Sequence, residues 1–212
     1  MSLDSIPAQA VAPSSPKIWA LPERGLAVFH GHSDAPRLFH YFLPGLIAQG
    51  KSILCLDGAN RFDPLLIARF ARECRQEASV FNQRLRVARA FTCFQLTELL
   101  VRVPRLLEKF PADALVVTAL PDLYFDEDVR EHEATASFQR ALEALRVLQQ
   151  SALATSVFSD ATSFQTPRRT FFAHLVAQAD CVSRFAEEDG RLVLVEEKDR
   201  TPALLDSSGS RD

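Results

Sequence analysis

Short apolar runs alternate with amphipathic stretches along most of the chain. Leu26–Phe29, Ser52–Leu56, Arg86–Ala90, Ala114–Thr118 and Thr155–Phe158 read as strands. Between them the apolar positions recur at helical spacing, which predicts helices over Pro36–Gln49, Pro64–Arg75, Gln95–Phe110, Glu133–Gln150 and Arg169–Ala177. Pro64 suits a first helical turn, with Asp63 as its cap. Strands that alternate with helices of this length imply crossover connections and a parallel sheet covered on both faces. Cys181–Phe185 and Leu192–Val195 then flank the turn signal EEDGR, which predicts an antiparallel hairpin on one sheet edge. The expected class is α/β, a mostly parallel sheet with a C-terminal hairpin.

The ends differ from this pattern. Residues 1–20 are rich in Ser, Pro and Ala and read as a flexible leader, residues 21–198 as one core domain, and residues 199–212 as a polar, disordered tail. At 212 residues the chain suits one substantial core. A net charge of −3 excludes a uniformly basic protein but leaves room for a local basic face. Cys55, Cys74, Cys93 and Cys181 lack metal or redox spacing and read as buried thiols in a reducing, cytoplasmic setting. The opening residues lack the apolar centre of a signal peptide, and no apolar run reaches the roughly 18 residues of a membrane span, so no membrane association is expected.

The first strand runs into HGHSDAPRLFHYFLPG, residues 30–45. Strand, tight turn and helix is the setting of a phosphate-binding loop, and Gly31 stands where such a loop begins.

Three further stretches give that setting a context: LDGANRFDPLLIARFAR from Leu56, RVARAFTCFQLTELL from Arg86, and ALVVTALPDLYFDED from Ala114. In this order they resemble the core of the RecA-type recombinases, above all the RadA-like branch. There a strand ending in Asp precedes an acidic turn and F-x-P, a strand runs into Arg-Ala-Phe, and a third strand leads to a Leu-Tyr pair. The alternative is another doubly wound α/β fold sharing generic strands. The resemblance implies a RecA-like core that hydrolyses ATP and assembles on DNA, yet the chain departs from the family at each position this chemistry needs. Counting from Gly31, the second glycine of the loop falls on Pro36, the lysine on Arg37 and the hydroxyl on Leu38. Proline has no N–H to give a phosphate, leucine cannot hold a metal, and a guanidinium does not replace the ammonium. The magnesium-orienting acid falls on Thr118, the water-activating Glu on Ala59, and the terminal-phosphate sensor on Ser159-Asp160. The expectation is a phosphate loop emptied of its chemistry: no cofactor, with Gly31 and Arg37 the vestige of a weak nucleotide site.

The segment after Tyr124, where the family has its first DNA-contact loop, is acidic here (FDEDVREHEATAS). Candidate DNA contacts are therefore Arg84, Arg86, Arg168 and Arg169, the last two ending the second loop, SDATSFQTPRR. Residues 61–110 carry ten Arg and Lys against five Asp and Glu, and residues 111–150 three against eight. Faces of opposite charge suit docking to another chain or to a copy of this one. Trp19 is the candidate partner contact in the leader. His30, His32 and Asp34 fall in step on an extended chain, which suits a zinc site or a polar loop edge. Three functions follow. One is a non-catalytic RecA-like accessory of DNA recombination or repair, whose partner is a recombinase or itself. The second is an adaptor or inhibitor outside repair, by analogy with division inhibitors of the SulA type. The third is an atypical ATPase or metal hydrolase.

Overall fold

The computed structural model describes residues 21–199. Seven strands form one sheet in the order β3-β2-β4-β5-β1-β6-β7. They are β1 (Leu26–His30), β2 (Ile53–Asp57), β3 (Leu85–Arg89), β4 (Ala114–Thr118), β5 (Ala154–Phe158), β6 (Cys181–Glu188) and β7 (Arg191–Asp199). The first six run parallel, and β7 pairs antiparallel with β6. β1, β2, β4 and β5 are buried along their whole length, which explains their continuous apolar runs. The hairpin turns at Asp189 and Gly190, both at positive φ (51° and 70°), as a two-residue turn matched to strand twist requires.

Strand alternation divides the core. Ala27, Phe29, Cys55 and Val116 face one layer, built from α1 (Ala35–Leu38), α2 (Leu43–Ala48), α3 (Pro64–Glu73) and α4 (Ala78–Arg84). Leu26, Val28, Leu56 and Val117 face the other, built from α5 (Cys93–Lys109), α6 (Glu131–Gln149) and α7 (Thr170–Gln178). Stacked Phe29 and Phe158, with ring centroids 4.7 Å apart, centre the first layer.

The expected Pro36–Gln49 helix is broken. α1 is followed by a 3-10 turn over Phe39–Phe42 and then by α2. Pro44 in the first turn of α2 lacks the N–H that would bond the His40 carbonyl, and Leu43 bonds it instead in the tighter pattern. α4 was not expected; of its residues only Phe81 is buried, so the segment lacks an apolar stripe. α3 begins as expected, Asp63 accepting from the N–H groups of Leu65 and Leu66. The thiols are unbridged; Cys55 and Cys93 are buried, which raises their pKa values, whereas Cys74 is exposed, contrary to expectation. Among the described residues no helix is long and apolar enough to cross a membrane. Trp19, the leader and all of the tail beyond Asp199 lie outside the described residues.

Candidate functional site at the carboxyl edge of the sheet

In an open parallel sheet a ligand crevice forms beyond the carboxyl ends of the strands, where neighbouring strands are followed by chain on opposite faces. Here β1 leads into α1 on one face and its neighbour β5 leads to α7 on the other. The crevice therefore lies between residues 31–38 and 159–168, beside the ends of β2 and β4.

At the loop after β1, Gly31 has φ +95°, and a Cβ there would stand 2.4 Å from Arg184 Cγ and 2.9 Å from the Phe185 carbonyl oxygen. The glycine is explained by the approach of β6. Three of the loop's N–H groups are bonded within the loop. Asp34 donates to His32 Nδ1 at 3.0 Å, Ala35 to the His32 carbonyl at 2.8 Å, and Arg37 to the Asp34 carbonyl at 2.7 Å. Pro36 has none to offer. Arg37 faces Asp63 at 3.7 Å. At the expected nucleotide site of Gly31 and Arg37 a phosphate would need convergent free N–H groups, and those of Asp34, Ala35 and Arg37 are bonded within the loop.

At the ends of β2 and β4, Asp57 and Thr118 are fully buried side by side. Thr118 Oγ1 donates to Asp57 Oδ1 at 3.0 Å and accepts from the Ala59 N–H at 3.1 Å. Asp57 also accepts from the N–H groups of Arg61 and Phe62 at 3.1 and 2.9 Å, and Arg89 stands 3.7 Å away. The positions expected for the metal and water chemistry, Thr118 and Ala59, are joined to each other and hold the loop after β2. His40 braces the same loop. Its Nδ1–H donates to the Arg37 carbonyl at 2.7 Å, and Nε2 accepts from the Asp63 N–H at 3.0 Å. Burial lowers its pKa, outweighing the Arg37 carbonyl and the Asp63 and Asp57 carboxylates, so the ring is neutral.

At the end of β5, Ser159 donates to Asp122 Oδ1 at 2.5 Å, and the Asp160 N–H donates to Asp122 Oδ2 at 3.0 Å. Burial, with the Asp160 carboxyl beside it, pushes the Asp122 pKa well up. Tyr124 of the Leu-Tyr pair is buried, its hydroxyl 2.7 Å from Thr97 Oγ1, and burial raises its pKa.

The arginine candidates do not form one surface. Arg84 donates to the Gly50 carbonyl, and Arg86 donates to the Asn82 carbonyl at 2.9 Å while stacking 4.7 Å from the Phe110 ring. Both lie where β2 and β3 begin, at the amino edge. Arg168 lies at the carboxyl edge, donating to the carbonyls of Tyr124, Asp126 and Val129 at 2.9, 2.8 and 2.5 Å. It holds the acidic segment in place rather than facing solvent as a phosphate contact. Arg169 is exposed.

The histidine trio also separates. His30 is buried with Nε2 2.9 Å from Glu197 on β7, which binds Arg184 at 2.8 Å, whereas His32 caps its own loop. Partial burial pulls the Glu197 pKa upward, but the Arg184 and His30 bonds outweigh it and hold the carboxyl below its usual range. Among the described residues no three His, Cys, Asp or Glu side chains converge on a metal position.

Near the ends of β2 and β3 the edge also exposes large apolar side chains. Leu65, Phe91 and Phe94 are 80, 64 and 44% exposed. Gln95 Oε1 accepts the Phe91 N–H at 2.8 Å while Thr92 caps α5, and this fixes the backbone that turns Phe91 outward. In the sequence the Arg-Ala-Phe motif carried only a resemblance, and this exposure was missed because it depends on what packs nearby. Compared with known proteins, the chain matches no family model and no curated relative.

Proposed function

We propose that the protein is a non-catalytic paralogue on a RecA-like scaffold that acts by binding another protein, as a regulatory accessory in DNA recombination or repair. One observation carries the reading: Asp57 and Thr118, where such a scaffold would hold its metal and water, are bonded to each other and to the loop after β2, and Leu65, Phe91 and Phe94 are exposed where the chain leaves the carboxyl ends of β2 and β3. Exposed large apolar side chains grouped at a functional edge mark interaction surfaces. The strand order, with β5 between the strand of the glycine turn and the strand ending in Thr118, supports the scaffold assignment. The repair context rests on the sequence resemblance. A second reading, an adaptor outside repair, is favoured by the separation of the four arginines to opposite edges.

The test measures ATP hydrolysis and DNA binding on one preparation. Magnesium-dependent hydrolysis that disappears in Arg37→Ala would overturn the non-catalytic reading. Labelled DNA that binds independently of ATP, and more weakly as salt rises, favours the repair accessory. No DNA binding at any salt favours the adaptor.

A further inference from the structure

We infer that residues 160–167 form a strap along one wall of the crevice, latched at both ends to the chain after β4, and that the carboxyl pair Asp122 and Asp160 releases its root as pH rises. The latch at the root is Asp122. Its Oδ1 accepts the Ser159 hydroxyl at 2.5 Å and its Oδ2 the Asp160 N–H at 3.0 Å. Ser159 Oγ in turn accepts the Ala161 N–H at 3.0 Å. The far end is held by Arg168, which donates to the carbonyls of Tyr124, Asp126 and Val129. Between the two ends residues 162–165 are exposed, and Phe164 rests edge-on against Phe125, with ring centroids 5.7 Å apart.

The two latches differ in chemistry. A guanidinium stays charged across the whole working range of pH, so the Arg168 end does not titrate. A carboxyl beside a second carboxyl does. Protonated Asp122 can donate to Asp160, whereas with both ionised two like charges meet where the strap leaves β5. Other charged groups on the elements packed here have partners of their own. Arg168 is taken up by its three carbonyls, His30 at the end of β1 by Glu197, and Asp126 by the Asp128 N–H. α6 meets this turn through Phe138, edge-on to Tyr124. Burial and the Asp160 carboxyl raise the Asp122 pKa, so the pair keeps a proton that an ordinary carboxyl has already lost. The root is therefore firm at low pH and loosens as pH rises through the folded value.

Hydrogen exchange of the full chain at pH 5 and pH 8, each amide corrected for its intrinsic rate, tests this. Protection of the Asp160, Ala161 and Ser163 amides is expected to fall about tenfold or more between the two, the change that one pKa unit of coupling produces. The amides of Ser156 and Val157 within β5 are expected to stay protected. Asp160→Asn and Asp122→Asn each leave one carboxyl where two met, so neither variant is expected to show the pH dependence. Either variant decides the matter if the other fails to fold. Equal protection of the unmodified strap at pH 5 and pH 8, a loss that the variants share, or a loss that spreads to β5 overturns the proposal.

Discussion

Thr118 and Asp57, on adjacent parallel strands, are joined by a 3.0 Å hydrogen bond in a region with no solvent exposure. The same hydroxyl accepts the Ala59 N–H, so one side chain links β4, the end of β2 and the loop beyond it. In the RecA-like reading this is where a carboxylate would orient magnesium. Here it works as a brace.

Thr118→Val keeps the shape but leaves the Ala59 N–H without its acceptor and removes one donor from Asp57. A loss of about 1–3 kcal/mol in urea unfolding is expected. Thr118→Asp, which introduces the carboxylate the RecA-like reading calls for, is expected to destabilise the fold further, since it buries a second carboxylate beside Asp57. Neither variant is expected to gain ATP hydrolysis, and an active Thr118→Asp protein would refute the brace.

Introducing phosphate-loop residues by Pro36→Gly, Arg37→Lys and Leu38→Thr is expected to leave the protein without magnesium-dependent hydrolysis, because Ala59 and Thr118 stay committed to each other. Gly31→Ala places a Cβ against Arg184 and the Phe185 carbonyl at a positive φ. A cost of about 1–3 kcal/mol is expected, read from the unfolding midpoint.

Arg168 and Arg169 are neighbours with different work. Arg168→Ala frees three carbonyls of the acidic segment and is expected to cost about 1.5–3 kcal/mol. Arg169→Ala, on an exposed side chain, is expected to change stability by less than about 0.5 kcal/mol. If DNA binds at this loop, Arg169→Glu weakens it and flattens its salt dependence.

His40 and Asp122 predict opposite pH effects. The folded state holds His40 neutral, while in the unfolded chain the ring titrates near 6.5. Its contribution is present above that pH and is lost as pH falls through the folded value, so His40→Gln should flatten the decline in stability between pH 7 and 5. Asp122 has a raised folded pKa, so its contribution is present at low pH and lost as pH rises through the folded value. Asp122→Asn should therefore gain on the unmodified protein as pH is raised from 5 to 8. Urea midpoints across this range check both.

The scaffold was legible in the sequence because its signals are local. Ala114–Thr118 appears with the bounds its apolar run predicts, and EEDGR marks the hairpin, because a strand buried on both faces and a two-residue turn each need particular residues at adjacent positions. That Pro36, Leu38, Ala59 and Thr118 are not the residues a recombinase-type phosphate site uses was legible for the same reason. Where the chain has no local signal, tertiary structure decided. α4 presents only Phe81 to the core, and Pro44 breaks a helix that apolar spacing alone makes continuous. What the polar groups do was also decided there. Thr118 meets Asp57 across 61 residues, Arg168 meets Tyr124 across 44, and His30 meets Glu197 across 167. A hydrogen bond depends on separation in space, and the folded sheet alone brings these side chains within reach.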